Sequence, residues 1–206
     1  NTTANNNTAI GYAALEANTT GTRLVAIGMN ALNSNTTAND NVAVGNNTLD
    51  ANTTGAQNVA VGYNALGANT TASSNSAFGH KALEVNTTGD NNTAIGRDTL
   101  KANTTADANT AVGYQALTAN TTGEQNTAVG AYALDESTTS SYNSAFGFSA
   151  LGAGVVGAYN AAFARYALRY NTTGSNNTAL GQGALAANTT ASDNTAVGYL
   201  ALGANT

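Results

Sequence analysis

An all-β parallel solenoid of twelve 17-residue coils is the fold this sequence predicts, and three observations predict it. Glycine recurs at 11, 28, 45, 62, 79, 96, 113, 130, 147, 181 and 198, always in steps of 17 or a multiple of it, with Ala164 filling the one gap. Two apolar columns hold the same frame without exception. All seventeen charged residues fall at only six positions of that frame.

With the recurring glycine set as position 6, the second copy runs from Arg23 to Asn39 and the consensus is x-N-T-A-V-G-Y-x-A-L-x-A-N-T-T-G-x. Residues 1–206 form one array whose first and last copies are incomplete, which is expected of a piece of a longer fibre. Position 4 is always Ala (Ala9 to Ala196), position 10 is always Leu (Leu15 to Leu202), and position 5 is Ile, Val, Phe or Leu, so these predict buried columns. Seventeen residues are too few for a helical hairpin, and T-A-V-G between Asn- and Gly-marked corners reads as strand and turn. Coils stacked about 4.7–4.9 Å apart give a rod roughly 55–60 Å long. Asn at positions 2 and 13 then forms ladders at two corners.

Charges occur only at positions 1, 7, 8, 11, 12 and 17, which marks those as solvent-facing corners, because an unpaired buried charge is strongly destabilising. Side-chain volume supplies a second constraint. Where position 5 is Phe (Phe78, Phe146, Phe163), position 3 shrinks to Ser76, Ser144 and Ala161, so the two sites share one space. Strand alternation then assigns positions 3 and 5 to the interior and positions 4 and 6 to the opposite face. A face of Ala and Gly alone predicts close packing of a second copy on Ala9, Gly11, Ala26, Gly28, Ala43, Gly45, Ala60, Gly62, Ala111, Gly113, Ala196 and Gly198. The alternative is that the glycines serve a bend and the alanines fill a thin core.

The repeat string, NTAVGYQAL at Asn109–Leu117 and NTAVGYLAL at Asn194–Leu202, resembles the N-S-V-A-I-G head repeats of trimeric autotransporter adhesins, and still more the repeats of phage and viral tail fibres. The resemblance covers the whole chain. It implies a left-handed parallel β-roll, three chains around a common axis, display on a cell or virion surface, and attachment to a host glycan or protein receptor. The family motif maps onto Thr110, Ala111, Val112 and Gly113. Those adhesin heads use shorter coils, and the N-T-T-G segment at Asn120–Gly123 has no counterpart in them.

Composition narrows the function classes. Net charge is −5 with only 8% charged residues, so neither nucleic acid nor an anionic membrane surface is the expected partner. Cysteine is absent, and no apolar run approaches membrane-spanning length. One His, no Cys and singly scattered acids offer no catalytic constellation, so neither an enzyme nor a cofactor or metal site is expected. His80, at position 7, reads as a surface residue.

Two features could carry recognition. Eight of the thirteen aromatics lie between Tyr132 and Tyr170, and a ligand patch of Tyr132, Tyr142, Phe148, Tyr159, Arg165, Tyr166, Arg169 and Tyr170 is one reading. The competing reading is a locally repacked core, Phe146 and Phe163 included. Copies there are irregular: Ser137 and Gly154 replace the corner Asn, and 152–157 replaces the N-T-T-G corner and its approach. The second feature is the N-x-T/S sequon at nearly every corner, such as Asn18-Thr19-Thr20 and Asn171-Thr172-Thr173, a glycosylation acceptor in some secretory routes. A structural or adhesive fibre segment is the function expected. The alternative is an ice-binding solenoid, since Thr recurs at positions 14 and 15, although adjacent extended residues supply only one outward column. A glycosylated extracellular filament protein is a further alternative.

Overall fold

The computed structural model describes residues 4–205. Twelve three-residue strands recur every 17 residues, from β1 (Thr8–Ile10) and β2 (Val25–Ile27) to β12 (Thr195–Val197), in one parallel sheet whose order is the chain order. Each residue pairs with the one 17 places on: Thr8 with Val25, Ala9 with Ala26, Ile10 with Ile27, and so on along the stack. No helix occurs among the described residues. Eleven full turns separate β1 from β12, an axial distance of about 53 Å at strand spacing.

Coil-to-coil bonding continues around the cross-section. The N–H of Gly28 donates to Ile10 O (2.8 Å), Asn30 to Tyr12 O (2.9 Å), Leu32 to Thr48 O (3.0 Å) and Thr36 to Thr53 O (3.1 Å). The short repeat is closed by overlapping turns. Ala31 N–H reaches Gly28 O, Asn33 N–H reaches Asn30 O and Asn35 N–H reaches Leu32 O. The third residue of the first two turns, Asn30 and Leu32, has positive φ (56° and 50°), the conformation that a type II turn demands there. The same holds at every Leu of position 10, from Leu15 to Leu202. Left-handed leucine costs about 1–2 kcal/mol per residue, and full burial of the side chain, from Leu32 to Leu185, offsets that.

The recurring glycine has φ between 125° and 142°, and a Cβ on Gly62 would lie 2.4 Å from the carbonyl oxygen of Gly79 in the next coil. Glycine lets successive coils approach this closely in every coil but one, where Ala164 is accommodated at φ 115°.

The faces of the strand are the reverse of those expected. Ala26, Ala43, Ala60, Ala111 and Ala196 are 0–3% exposed within a single chain, buried in its own core with position 9 and the Leu column. Ala9, in the first described coil, is exposed. Positions 3 and 5 point outward, half-buried or exposed in every coil. The smallest side chains line the inside because this coil is thin, and the backbone packed on the glycines is the chain's own next coil. Of the predicted Ala and Gly interface, Ala26, Ala43, Ala60, Ala111 and Ala196 are therefore enclosed by the chain itself and not free for another chain, whereas Gly28, Gly45, Gly62 and Gly113 are half-buried and Ala9, Gly11 and Gly198 are exposed. Phe146 and Phe163 likewise stack on the outer face, 4.9 Å apart, rather than in the core.

Both Asn ladders form. At position 13, Asn35 Nδ2 donates to Asn18 Oδ1 of the coil before (2.9 Å) and to Ala38 O in its own corner (3.3 Å); Asn52, Asn69, Asn86, Asn103 and Asn120 repeat the pattern. At position 2, Asn58 Oδ1 accepts the backbone N–H of Asn75 while its Nδ2 donates to Ala72 O, which ties the two ends of the coil together. These amides are buried with their hydrogen bonds made, as buried polar groups usually are, except for Asn120 Oδ1 at the end of the ladder. The Asn of each N-T-T sequon from Asn18 to Asn120 is at most 1% exposed, so a glycan on its nitrogen would have to displace the ladder.

Candidate functional site

The expected aromatic patch divides in two. Tyr142 and Tyr159, both at position 1 before the strand, stack in parallel 4.9 Å apart. Past the other end of the strand, Tyr114, Tyr132, Phe148 and Tyr166 run up the stack edge to face, with successive centroids 5.3–5.7 Å apart. This second group gathers the arginines. Arg165 lies 4.3 Å from the Tyr166 ring, and Arg169 lies 4.2 Å from Tyr166 and 5.1 Å from Tyr170. Corner positions 7, 8, 11 and 12 bring these side chains together, so one corner holds Tyr132, Phe148, Arg165, Tyr166, Arg169 and Tyr170, while Tyr142 and Tyr159 sit at another.

Beside this corner the column at position 11 is interrupted. Asp135, Gly152 and Arg169 stand above one another in successive coils, and the missing side chain at Gly152 leaves a notch of about 240 Å³. Its lining is Asp135, Glu136, Ser149, Gly152, Ala153, Arg169 and Tyr170. A Cβ added to Gly152 would fall 3.4 Å from Asp135 Oδ1, which shows how nearly the carboxylate faces the gap. Burial pushes the Asp135 carboxyl up to about 6, with the charge of Glu136 adding to the rise and Arg169 opposing it. The sequence signal for the notch is the Gly152-Ala153-Gly154 stretch within 152–157, which replaces the N-T-T-G corner and its approach; the acid and the base on either side of it line up only down the column.

The N-T-T-G corner also changes at this level. Val155, 1% exposed, takes the buried slot that Asn occupies in regular coils, and Val156 and Gly157 both donate to Thr172 O. Ser137 in the coil before bonds Ser140 Oγ and Val155 O instead of continuing the ladder. Asn120 Oδ1 is left as a buried acceptor with no donor, the only such side-chain atom among the described residues.

Other candidates are bland. His80 stacks on Tyr63 with centroids 5.3 Å apart. Lys81, Glu84, Lys101, Asp98 and Arg97 form a corner network of ion pairs between 3.0 and 3.8 Å. Burial works to raise Glu84, but hydrogen bonds from Lys81 and Asn64 outweigh it and hold the carboxyl below its ordinary value. Among the described residues no three His, Cys, Asp or Glu side chains group so as to hold a metal ion, and no helix is long and apolar enough to cross a membrane. In most Thr pairs position 14 turns its hydroxyl onto the next coil, as Thr53 Oγ1 does to Thr70 O (3.0 Å), which leaves position 15 as the main outward Thr column.

Compared with protein-family models, with curated proteins and with solved structures, the chain matches none of them.

Proposed function

We propose that the chain is a rigid, self-associating segment of a surface fibre, extracellular or on a virion, whose role is attachment to a host glycan or protein receptor. The observation that carries this is the outer face of the sheet. Position 5 places Ile27, Val44, Val61, Phe78, Ile95, Val112, Val129, Phe146, Phe163 and Leu180 in one apolar column along the stack, with Phe78, Ile95 and Leu180 40–50% exposed. Position 3 runs beside it as Thr, Val, Ser or Ala.

Parallel sheets are ordinarily covered on both faces. Here the chain's own core covers one, and an apolar stripe of this length on the other is the mark of an association surface. The size exchange between positions 3 and 5 supports a partner at fixed distance: a face open to water alone would not require Ser76, Ser144 and Ala161 beside the three Phe residues. The partner is a second copy of the chain, because an identical stripe with the same axial repeat matches it coil for coil. Three copies around a common axis is the arrangement that the family resemblance implies. Low net charge and the want of converging catalytic groups suit a structural and adhesive part.

Light scattering tests this directly. Wild type runs at a multiple of the 20.4 kDa chain mass, three on this reading. Val112→Lys with Val129→Lys gives a folded monomer, while Gln115→Lys at a corner leaves the oligomer intact. A wild-type monomer would remove the proposal. Attachment is read separately, by adhesion of beads carrying the oligomer to candidate host surfaces.

A further inference from the structure

We infer that the notch at Gly152 is a binding site for a single uncharged sugar ring, held between Asp135 and Arg169 and laid against Tyr170; as a receptor site it rests on the attachment reading above. The chemistry of the walls selects the ligand class. Below the gap stand Asp135 and Glu136, which as carboxylates only accept hydrogen bonds; above it stands Arg169, which only donates. The two sides are about 10 Å apart along the axis, two coil spacings, and among the described residues neither Asp135 nor Arg169 enters an ion pair. A simple anion is repelled by the acidic wall, and a simple cation by the arginine. A neutral polyol satisfies both, since one of its hydroxyls can donate to Asp135 while another accepts from Arg169. The half-exposed Tyr170 ring offers a platform for the C–H face of a pyranose.

Size and rigidity agree with this. A volume of about 240 Å³ has room for roughly eight waters, or for a ring of about a dozen heavy atoms. Arg169 is fixed by the rings of Tyr166 and Tyr170, so little freedom is lost when it donates to a ligand. Independently, this is the level at which the repeat gives up its own stabilising device: the Asn ladder stops at Asn120, leaving its Oδ1 unpaired, and Ser137 and Val155 stand in the next two slots. A local departure from an otherwise uniform pattern, at a measurable loss of hydrogen bonding, is expected where a site has been cut into a scaffold.

The test is a ¹⁵N–¹H correlation titration of the intact chain with D-galactose, D-mannose, N-acetyl-D-glucosamine and L-rhamnose, with ethylammonium and sulfate as charged probes. At least one sugar shifts the amides of Ser149, Gly152 and Ala153 saturably, with the millimolar affinity usual for a ligand of this size. Gly152→Gln, a side chain of the size borne at this position by Glu16, Glu84 and Arg169, abolishes the shifts and leaves the rest of the spectrum unchanged. Asp135→Asn weakens binding about tenfold while keeping the notch open. Absence of shifts with all four sugars, equal binding by Gly152→Gln, or equal shifts from ethylammonium or sulfate would each overturn the inference. Bead adhesion separates the two readings. Adhesion that survives Gly152→Gln removes the notch as the receptor site and leaves attachment standing, whereas sugar shifts without adhesion to any surface remove attachment and leave the notch.

Discussion

Asn69→Ala probes the internal ladder where it is most regular. The Asn69 side chain donates to Asn52 Oδ1 (2.8 Å) and to Ala72 O (3.0 Å), and accepts from Asn86 Nδ2 (3.2 Å). Truncation removes all three bonds. Two partners keep another: Ala72 O still receives Asn58 Nδ2, and Asn86 Nδ2 still reaches Gly89 O. Asn52 Oδ1 keeps none and becomes a second orphan like Asn120 Oδ1. Three bonds at about 1 kcal/mol each, plus about 1–2 kcal/mol for the stranded acceptor, place the loss at roughly 4–5 kcal/mol. Thr71→Ala, two residues away on an exposed side chain, changes stability by only about 0.5 kcal/mol or less. Urea unfolding combined with native-state hydrogen exchange measures both, and the exchange data localise the loss to the coils around residue 69. A cost for Asn69→Ala below about 1 kcal/mol, or one equal to that of Thr71→Ala, would refute the ladder as a source of stability.

Other perturbations follow from the same geometry. Gly113→Ala places a Cβ 2.6 Å from the carbonyl carbon of Gly130 and strains φ 134°, so a loss of about 2–4 kcal/mol in thermal or urea unfolding is expected. Ala108→Gly relieves a left-handed φ of 57° at an exposed corner and raises stability by about 0.5–1 kcal/mol in the same assay. Ala111→Lys introduces a charge into the core and lowers the melting temperature far more than Val112→Lys, whose side chain points outward; equal effects would count against the assigned faces. Because the folded state raises the Asp135 carboxyl to about 6, it binds that proton more tightly than the unfolded chain does. This site's contribution to stability is therefore largest below the unfolded value near 4 and is lost as pH rises through 6, and Asp135→Asn flattens the trend in pH-dependent melts.

Column by column, much of the fold is legible in the sequence. Invariance of Leu at position 10 and of Asn at position 13 in regular coils follows from stacking like on like, and the charge-free positions mark what the stack encloses. What alternation cannot decide is which side of a strand faces in. Ala at position 4 and Val or Ile at position 5 are both apolar, and the usual expectation that the larger residue is buried fails in a coil too narrow to hold it. The left-handed leucines at position 10 leave no signature, because leucine does not advertise positive φ, and at position 8 the signal of Asn30, Asn47, Asn64, Asp98 and Gly183 is diluted by residues such as Lys81 and Tyr132. Of the aromatic patch, the corner around Arg169 is a cluster and the Tyr142–Tyr159 pair is not part of it. Its most useful residue carries no side chain, and an absence at Gly152 becomes visible only when Asp135 and Arg169 are placed on either side.

Hydrogen bonds between coils run along the rod, and this governs how such a rod fails under load. A pull on its two ends puts those bonds in series, so they yield one coil at a time from a terminus, like stitches drawn from a hem. Each released coil adds 17 residues of slack, about 55–60 Å of extended chain. A tethered particle would thus be let out in even steps, and the tether would lengthen long before it parted.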